Sequence, residues 1–140
     1  MADVILDVRD LDTVLGGNSI HRGLSLSVAR GEVVALIGGS GTGKSVLMRE
    51  IIGLLKPRAG RIELFGQSVW DATPEQLDVL RSRFGVLFQD GALFSSLSVE
   101  DNVATPLFEH TELPHDLCRQ LARLKLSLAN LPADAAKKKP

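Results

Sequence analysis

The stretch Gly38-Gly39-Ser40-Gly41-Thr42-Gly43-Lys44-Ser45 decides how this chain is read. It satisfies G-x-x-x-x-G-K-[ST] in full, and average residue usage would place the four fixed positions by accident in roughly one chain in two hundred of this length. The glycines let the backbone curl with its N–H groups turned inward, which makes a concave nest for phosphate oxygens. A helix starting at Lys44 would add the positive end of its dipole to the same spot. In that geometry Lys44 reaches β- and γ-phosphates and the Ser45 hydroxyl ligates Mg²⁺. The stretch therefore predicts a nucleoside triphosphate site. Two rival glycine readings fail on spacing: G-x-G-x-x-G is not satisfied, and a nucleophile elbow would need glycine where Thr42 stands.

The flanks supply the context that the motif requires. Val33-Val34-Ala35-Leu36-Ile37 is apolar throughout and predicts a central strand buried on both faces. Lys44 to Gly53 predicts a helix, ended by Gly53 and Pro57. Upstream, Val4 to Val8 is a β-favourable run, and Leu24, Leu26 and Val28 alternate with Ser25 and Ser27 as a half-buried strand does. Downstream, Arg61 to Leu64 and Phe84 to Phe88 predict further strands. Thr73-Pro74-Glu75-Gln76 has the capping hydroxyl, the early proline and the Gln of a helix start, which should run to about Arg83. Ser98-Val99-Glu100-Asp101 resembles a capping box with Asp in place of Glu or Gln. Leu117, Leu121, Leu124, Leu128 and Leu131 recur at helical spacing and predict the core face of a helix starting near Pro114. Strands alternating with helices make the class α/β.

Composition narrows the function classes. The chain has 140 residues, 44% apolar, with 16 Lys plus Arg against 17 Asp plus Glu, so one core can form and no net field favours nucleic acid or an anionic membrane. The longest apolar runs fall far short of the 18 or more residues of a membrane helix, and the start does not read as a secretory signal. Cys118, the single cysteine, cannot close an intrachain disulfide and reads as structural. His21, His110 and His115 do not read as a zinc site. Lys137 to Lys139 read as a solvated connector.

Around the phosphate loop the chain resembles the ATP-binding cassette (ABC) ATPases, the engine subunits of ABC transporters. The resemblance rests on Gly31-Glu32-Val33-Val34-Ala35-Leu36 before the loop, on Leu54-Leu55-Lys56-Pro57 through Ala59-Gly60-Arg61-Ile62 after it, and on Phe84-Gly85-Val86-Leu87-Phe88-Gln89. Gln89, 45 residues after Lys44, falls where the family has its Q-loop. A narrower match, Phe88 to Val99 with Asp101-Asn102-Val103-Ala104, is similar to the Mla-type subgroup, which powers phospholipid transport between the membranes of Gram-negative bacteria. The resemblance implies ATP and Mg²⁺ as ligands, with Gly38, Gly39, Ser40, Gly41, Thr42, Gly43, Lys44, Ser45 and Val46 around the phosphates. It implies Ser45 and Gln89 at the metal, and Lys44 and Gln89 in catalysis. It also implies a nucleotide-binding core over 1–90, the start of a helical subdomain over 91–140, a homodimer, and permease subunits docking near Asp90 to Leu97. Contact with the membrane would come only through the permease, at the cytoplasmic face of the inner membrane.

The chain departs from the family in three respects. No L-S-G-G-Q-like signature, apolar strand ending in Asp-Glu, or later switch histidine follows the phosphate loop. The expectation is an amino-terminal fragment that binds Mg-ATP but hardly hydrolyses it; the alternative is a short non-hydrolysing ATP-binding module that docks on a permease or partner ATPase. At the place where the family stacks adenine on an aromatic stands Leu15, which weakens the basis for telling ATP from GTP. Val46 takes a position where Ser or Thr is common, so its backbone N–H is what it offers a phosphate.

Overall fold

Two long strands, β1 (Val4–Leu15) and β2 (Asn18–Ala29), form an antiparallel hairpin. Gly16 and Gly17 turn it, both at positive φ (56° and 80°), as a two-residue turn matched to strand twist requires. The computed structural model describes residues 3–89 and 91–140, and the chain divides into two compact units, Met1–Gly85 and Val86–Pro140.

In the first unit the hairpin is extended by β3 (Ala59–Leu64) and β4 (Gln67–Ser68), giving a wholly antiparallel sheet in the order β2-β1-β3-β4. Helices α1 (Lys44–Ile51) and α2 (Pro74–Arg81) complete it. Val8, Leu11, Leu47, Ile51, Ile62, Leu64, Val69 and Leu80 make the core, with Leu24 and Leu26 packed at its edge. The alternation read at Leu24 and Leu26 thus meets a real apolar face. At α2 the Thr73 hydroxyl accepts from the Gln76 N–H while the Gln76 side chain accepts from the Thr73 N–H, the reciprocal box that the sequence predicts.

β1 is not a simple alternating strand. Val8, Leu11 and Thr13 are all buried, a spacing that strict period 2 cannot give. Asp10 and Leu11 together oppose Gly60, in a bulge where Asp10 adopts φ 48° and its N–H donates to the Ser25 hydroxyl at 2.9 Å. The extra residue flips the strand, so that Leu11 and Thr13 turn inward.

Two predicted strands do not form. Val33 to Ile37 and Phe84 to Phe88 are irregular, and Val33, Ile37 and Leu87 are more than nine-tenths exposed. A strand exists through its partners, and neither run has a ladder neighbour among the described residues; local apolarity alone does not supply one.

The second unit is helical: α3 (Val99–His110), α4 (His115–Leu128) and a 3₁₀ turn at Ala133–Lys137. Ser98 caps α3 by accepting from the Asp101 N–H, but Asp101 does not return a bond to the backbone. Its carboxylate is one methylene shorter than Glu and takes the Ser98 hydroxyl instead, at 2.8 Å. That hydroxyl first, and the Arg119 guanidinium at 3.0 Å second, hold the Asp101 carboxyl below the ordinary carboxylate range. Arg123 and Glu100 add a second α4–α3 ion pair at 2.9 Å.

The leucine stripe of α4 is a correction. Leu117, Leu124 and Leu128 are exposed, as is Leu131 beyond the helix end; Leu121 is half-buried, and the buried face is Cys118, Ala122 and Leu126. Cys118 and Ala122 pack with Ala104 of α3. Small side chains let two helices approach closely, and that contact excludes the bulkier leucines one position away.

Candidate nucleotide-binding site

The phosphate loop occupies residues 38 to 43 and runs directly into α1. Gly41 and Gly43 stand at φ 80° and 92°, in the left-handed region that a Cβ disfavours. Gly43 is also sterically required: a Cβ there would lie 2.6 Å from the His21 ring and 2.7 Å from Ile20. Gly43 is the N-cap of α1, supplies no side-chain acceptor, and is followed by no acid in the first turn. The positive end of the helix dipole is therefore left for an external anion.

Lys44 folds back over the loop. Its Nζ donates to the carbonyl oxygens of Gly38 and Gly39 at 2.7 and 2.6 Å, and to Thr42 Oγ1 at 3.2 Å. The Thr42 hydroxyl in turn donates to the Gly39 carbonyl at 2.9 Å, and a Cβ at Gly38 would sit 2.9 Å from it. Ser45 is exposed and Val46 half-buried at the first turn of α1. Ile20 of β2 joins residues 40 to 46 in lining a hollow of about 250 Å³. The donor set suits phosphate: an uncapped helix start and the Lys44 ammonium folded over the loop. For Mg²⁺ the loop offers the Ser45 hydroxyl, a mode in which the metal arrives with the phosphates that complete its shell. Leu15 ends β1 at the hairpin turn and is partly exposed, an aliphatic surface at the place inferred for the base.

Gln89 is exposed in the second unit, at the turn that closes with Gly91 N–H on the Phe88 carbonyl at 3.1 Å. Of the docking segment, Asp90 lies outside the described residues. Leu93 and Phe94 are exposed (52% and 58%), whereas Leu97 is partly turned in. Asn102 organises this loop, a role its sequence position did not disclose. Its Oδ1 accepts from the Phe94 N–H at 2.7 Å, and its Nδ2 donates to the carbonyls of Phe94 and Ser98 at 3.0 and 2.9 Å. Sequence reasoning also missed Thr13, His21 and Glu50, which meet in the core beside the phosphate loop. The one signal was a carboxylate on the face of α1 that also carries Leu47 and Ile51.

A glycine-rich loop feeding an uncapped helix, with a lysine folded over it, defines a phosphate-loop nucleotide-binding α/β protein. The ABC transporter family profile matches residues 21–140, and the chain belongs to that family. It is 41% identical over 134 residues to the "Probable ribonucleotide transport ATP-binding protein mkl" of Mycobacterium leprae, covering 96% of this chain and 39% of that protein. It is 40% identical over 132 residues to the "Intermembrane phospholipid transport system ATP-binding protein MlaF" of Haemophilus influenzae, covering 94% of this chain and 50% of the relative. Among solved structures, the ATP-binding cassette MJ0796, a dimer in a post-hydrolysis state bound to ADP and Pi, superposes with a TM-score of 0.84 at 26% identity, over 97% of this chain and 62% of that one. The chain thus spans half or less of the length of these two curated relatives. Among the described residues no helix is long and apolar enough to cross a membrane.

Proposed function

We propose that this chain is the nucleotide-binding portion of an ABC transporter ATPase subunit that couples ATP binding and hydrolysis to phospholipid transport between membranes. The observation that carries the ATP part is the phosphate loop, with Lys44 over its rim and an uncapped α1 behind it. In this reading the backbone amides of residues 39 to 46 and the Lys44 ammonium hold the phosphates, Ser45 holds Mg²⁺, and Gln89 orients the attacking water. Bound Mg²⁺ would neutralise charge on the β- and γ-phosphates. Residues 1–90 act as the nucleotide core and 91–140 begin the helical subdomain. The working protein is a homodimer on the cytoplasmic face of the inner membrane. The chain by itself binds Mg-ATP and turns it over negligibly, because positioning and charge stabilisation supply most of phosphoryl-transfer catalysis, and its sequence holds no signature or Asp-Glu strand after the loop.

The phospholipid assignment is supported by the likeness to MlaF. Ribonucleotide transport is the second reading, favoured by the comparable likeness to mkl. ATP-driven transfer of a labelled phospholipid between vesicles, by the subunit assembled with its permease, decides between them. Uptake of labelled ribonucleotide without lipid transfer would reverse the assignment.

Permease docking is placed on the exposed Leu93-Phe94 tip held by Asn102. Phe94→Ala is expected to weaken co-purification with the permease, by on the order of tenfold in affinity for a buried aromatic anchor, while leaving Mg-ATP binding unchanged. Equal loss of both, measured by pull-down and calorimetry on one preparation, would refute the placement.

A further inference from the structure

Behind the phosphate loop lies a polar cluster that the nucleotide site does not itself use. Glu50 on α1 is fully buried, and His21 on β2 is 6% exposed. Thr13 and His21 are cross-strand partners in the hairpin. The Thr13 hydroxyl donates to Glu50 Oε1 at 2.6 Å, and Glu50 Oε2 faces His21 Nε2 at 3.6 Å. Neither of those last two atoms has a closer polar partner. A buried carboxyl group with one hydrogen bond, from Thr13, and one longer approach, to His21, is costly, and an apolar residue would fill that helix face without the cost.

What the cluster touches gives it a use. The His21 ring lies against Gly43, so closely that a Cβ on Gly43 would fall 2.6 Å from Cε1 and 3.3 Å from Nδ1. Gly43 caps α1, and its carbonyl accepts the Leu47 N–H at 2.9 Å. Residues 43, 47 and 50 fall on one face of the helix, so Glu50 and Gly43 both lean on the hairpin through His21. Ile20, next to His21, lines the hollow itself.

We propose that Thr13, Glu50 and His21 are positioning residues for nucleotide binding. Thr13 and Glu50 fix the imidazole, and the imidazole sets the Gly43 peptide and so the aim of the first amides of α1 at the phosphates. This rests on the ATP-binding reading above. It goes beyond that reading by assigning to three residues outside the motif a share of the affinity for the triphosphate.

The test is the dissociation constant of the full chain for Mg-ATP, corrected to the folded fraction by a parallel urea titration. Thr13→Val, which keeps the shape and removes the donor, and Glu50→Gln, which replaces one carboxyl oxygen by an amide nitrogen, should each weaken binding by about tenfold, the scale of a buried hydrogen bond. Thr13→Ser should bind within about twofold of the wild type. Should Glu50→Gln not fold, the Thr13→Val and Thr13→Ser pair decides alone. Wild-type affinity in Thr13→Val, whatever its melting temperature, would overturn the positioning role and leave the ATP reading standing. No Mg-ATP binding by the wild-type chain would overturn both.

Discussion

Replacing Lys44 by alanine is expected to weaken Mg-ATP binding by about 2–4 kcal/mol, on the order of 30- to 1000-fold, with little change in stability. The ammonium is the only side-chain cation on the loop, and hydrogen bonds between charged groups are shorter and stronger than neutral ones. The gain is not the full gas-phase value. Nζ already donates to Gly38, Gly39 and Thr42, and phosphate binding would exchange part of that set for phosphate oxygens. The same three bonds are exposed, so losing them costs the fold little. Isothermal titration with Mg-ATP reads the affinity, and a melting curve without nucleotide reads the stability. Undiminished binding by Lys44→Ala would remove the basis for placing the triphosphate here.

Gly60→Ala should be the most destabilising small substitution in the first unit. Gly60 stands at φ 97°, and a Cβ there would lie 2.6 Å from the Asp10 carbonyl oxygen, 2.7 Å from the Arg9 carbonyl oxygen and 2.7 Å from Leu11 Cα. All three are backbone atoms of the β1 bulge and cannot rotate away. The left-handed conformation costs a residue with a Cβ about 1–2 kcal/mol, and overpacking adds typically about 1–3, for a total of about 2–5 kcal/mol. For a unit of this size that lowers the melting temperature by about 8 °C or more. Differential scanning calorimetry checks it; a shift below about 2 °C would mean that the bulge relaxes freely. Because the bulge turns Thr13 toward Glu50, weaker nucleotide binding should accompany any Gly60→Ala protein that folds.

These two residues mark the two kinds of information in the chain. Lys44 is marked as a candidate phosphate ligand without a structure, since phosphate needs a particular set of donors in a particular order along the backbone, and order along the backbone is what a sequence records. The helix start at Thr73 is legible for the same reason: a box closed within four residues needs nothing distant, and it forms as read. Gly60 looks like any turn glycine until the bulge opposite it is seen.

Apart from the Ser98–Asp101 box, which fails on side-chain length, the readings that failed were decisions about neighbours. Val33 to Ile37 and Phe84 to Phe88 have the composition of buried strands, but pairing needs a second chain segment at 4.7–4.9 Å, and apolarity cannot specify one. The leucines of α4 have a helical period, but the face that packs was chosen by Ala104, Cys118 and Ala122, whose small size permits close approach to α3. The Gly16-Gly17 turn was open to reading, flanked as it is by Val14, Leu15 and Ile20, and would have extended both strands correctly. Thr13, His21 and Glu50 were not, being 37 residues apart at the widest and joined only when the hairpin folds against α1. By itself, then, the sequence determined the α/β class, the phosphate loop and the family, because these depend on contiguous runs of residue types. The tertiary structure alone decided which apolar faces are buried, where β1 breaks its period, and what stands behind Gly43, because those follow from steric fit between segments distant along the chain.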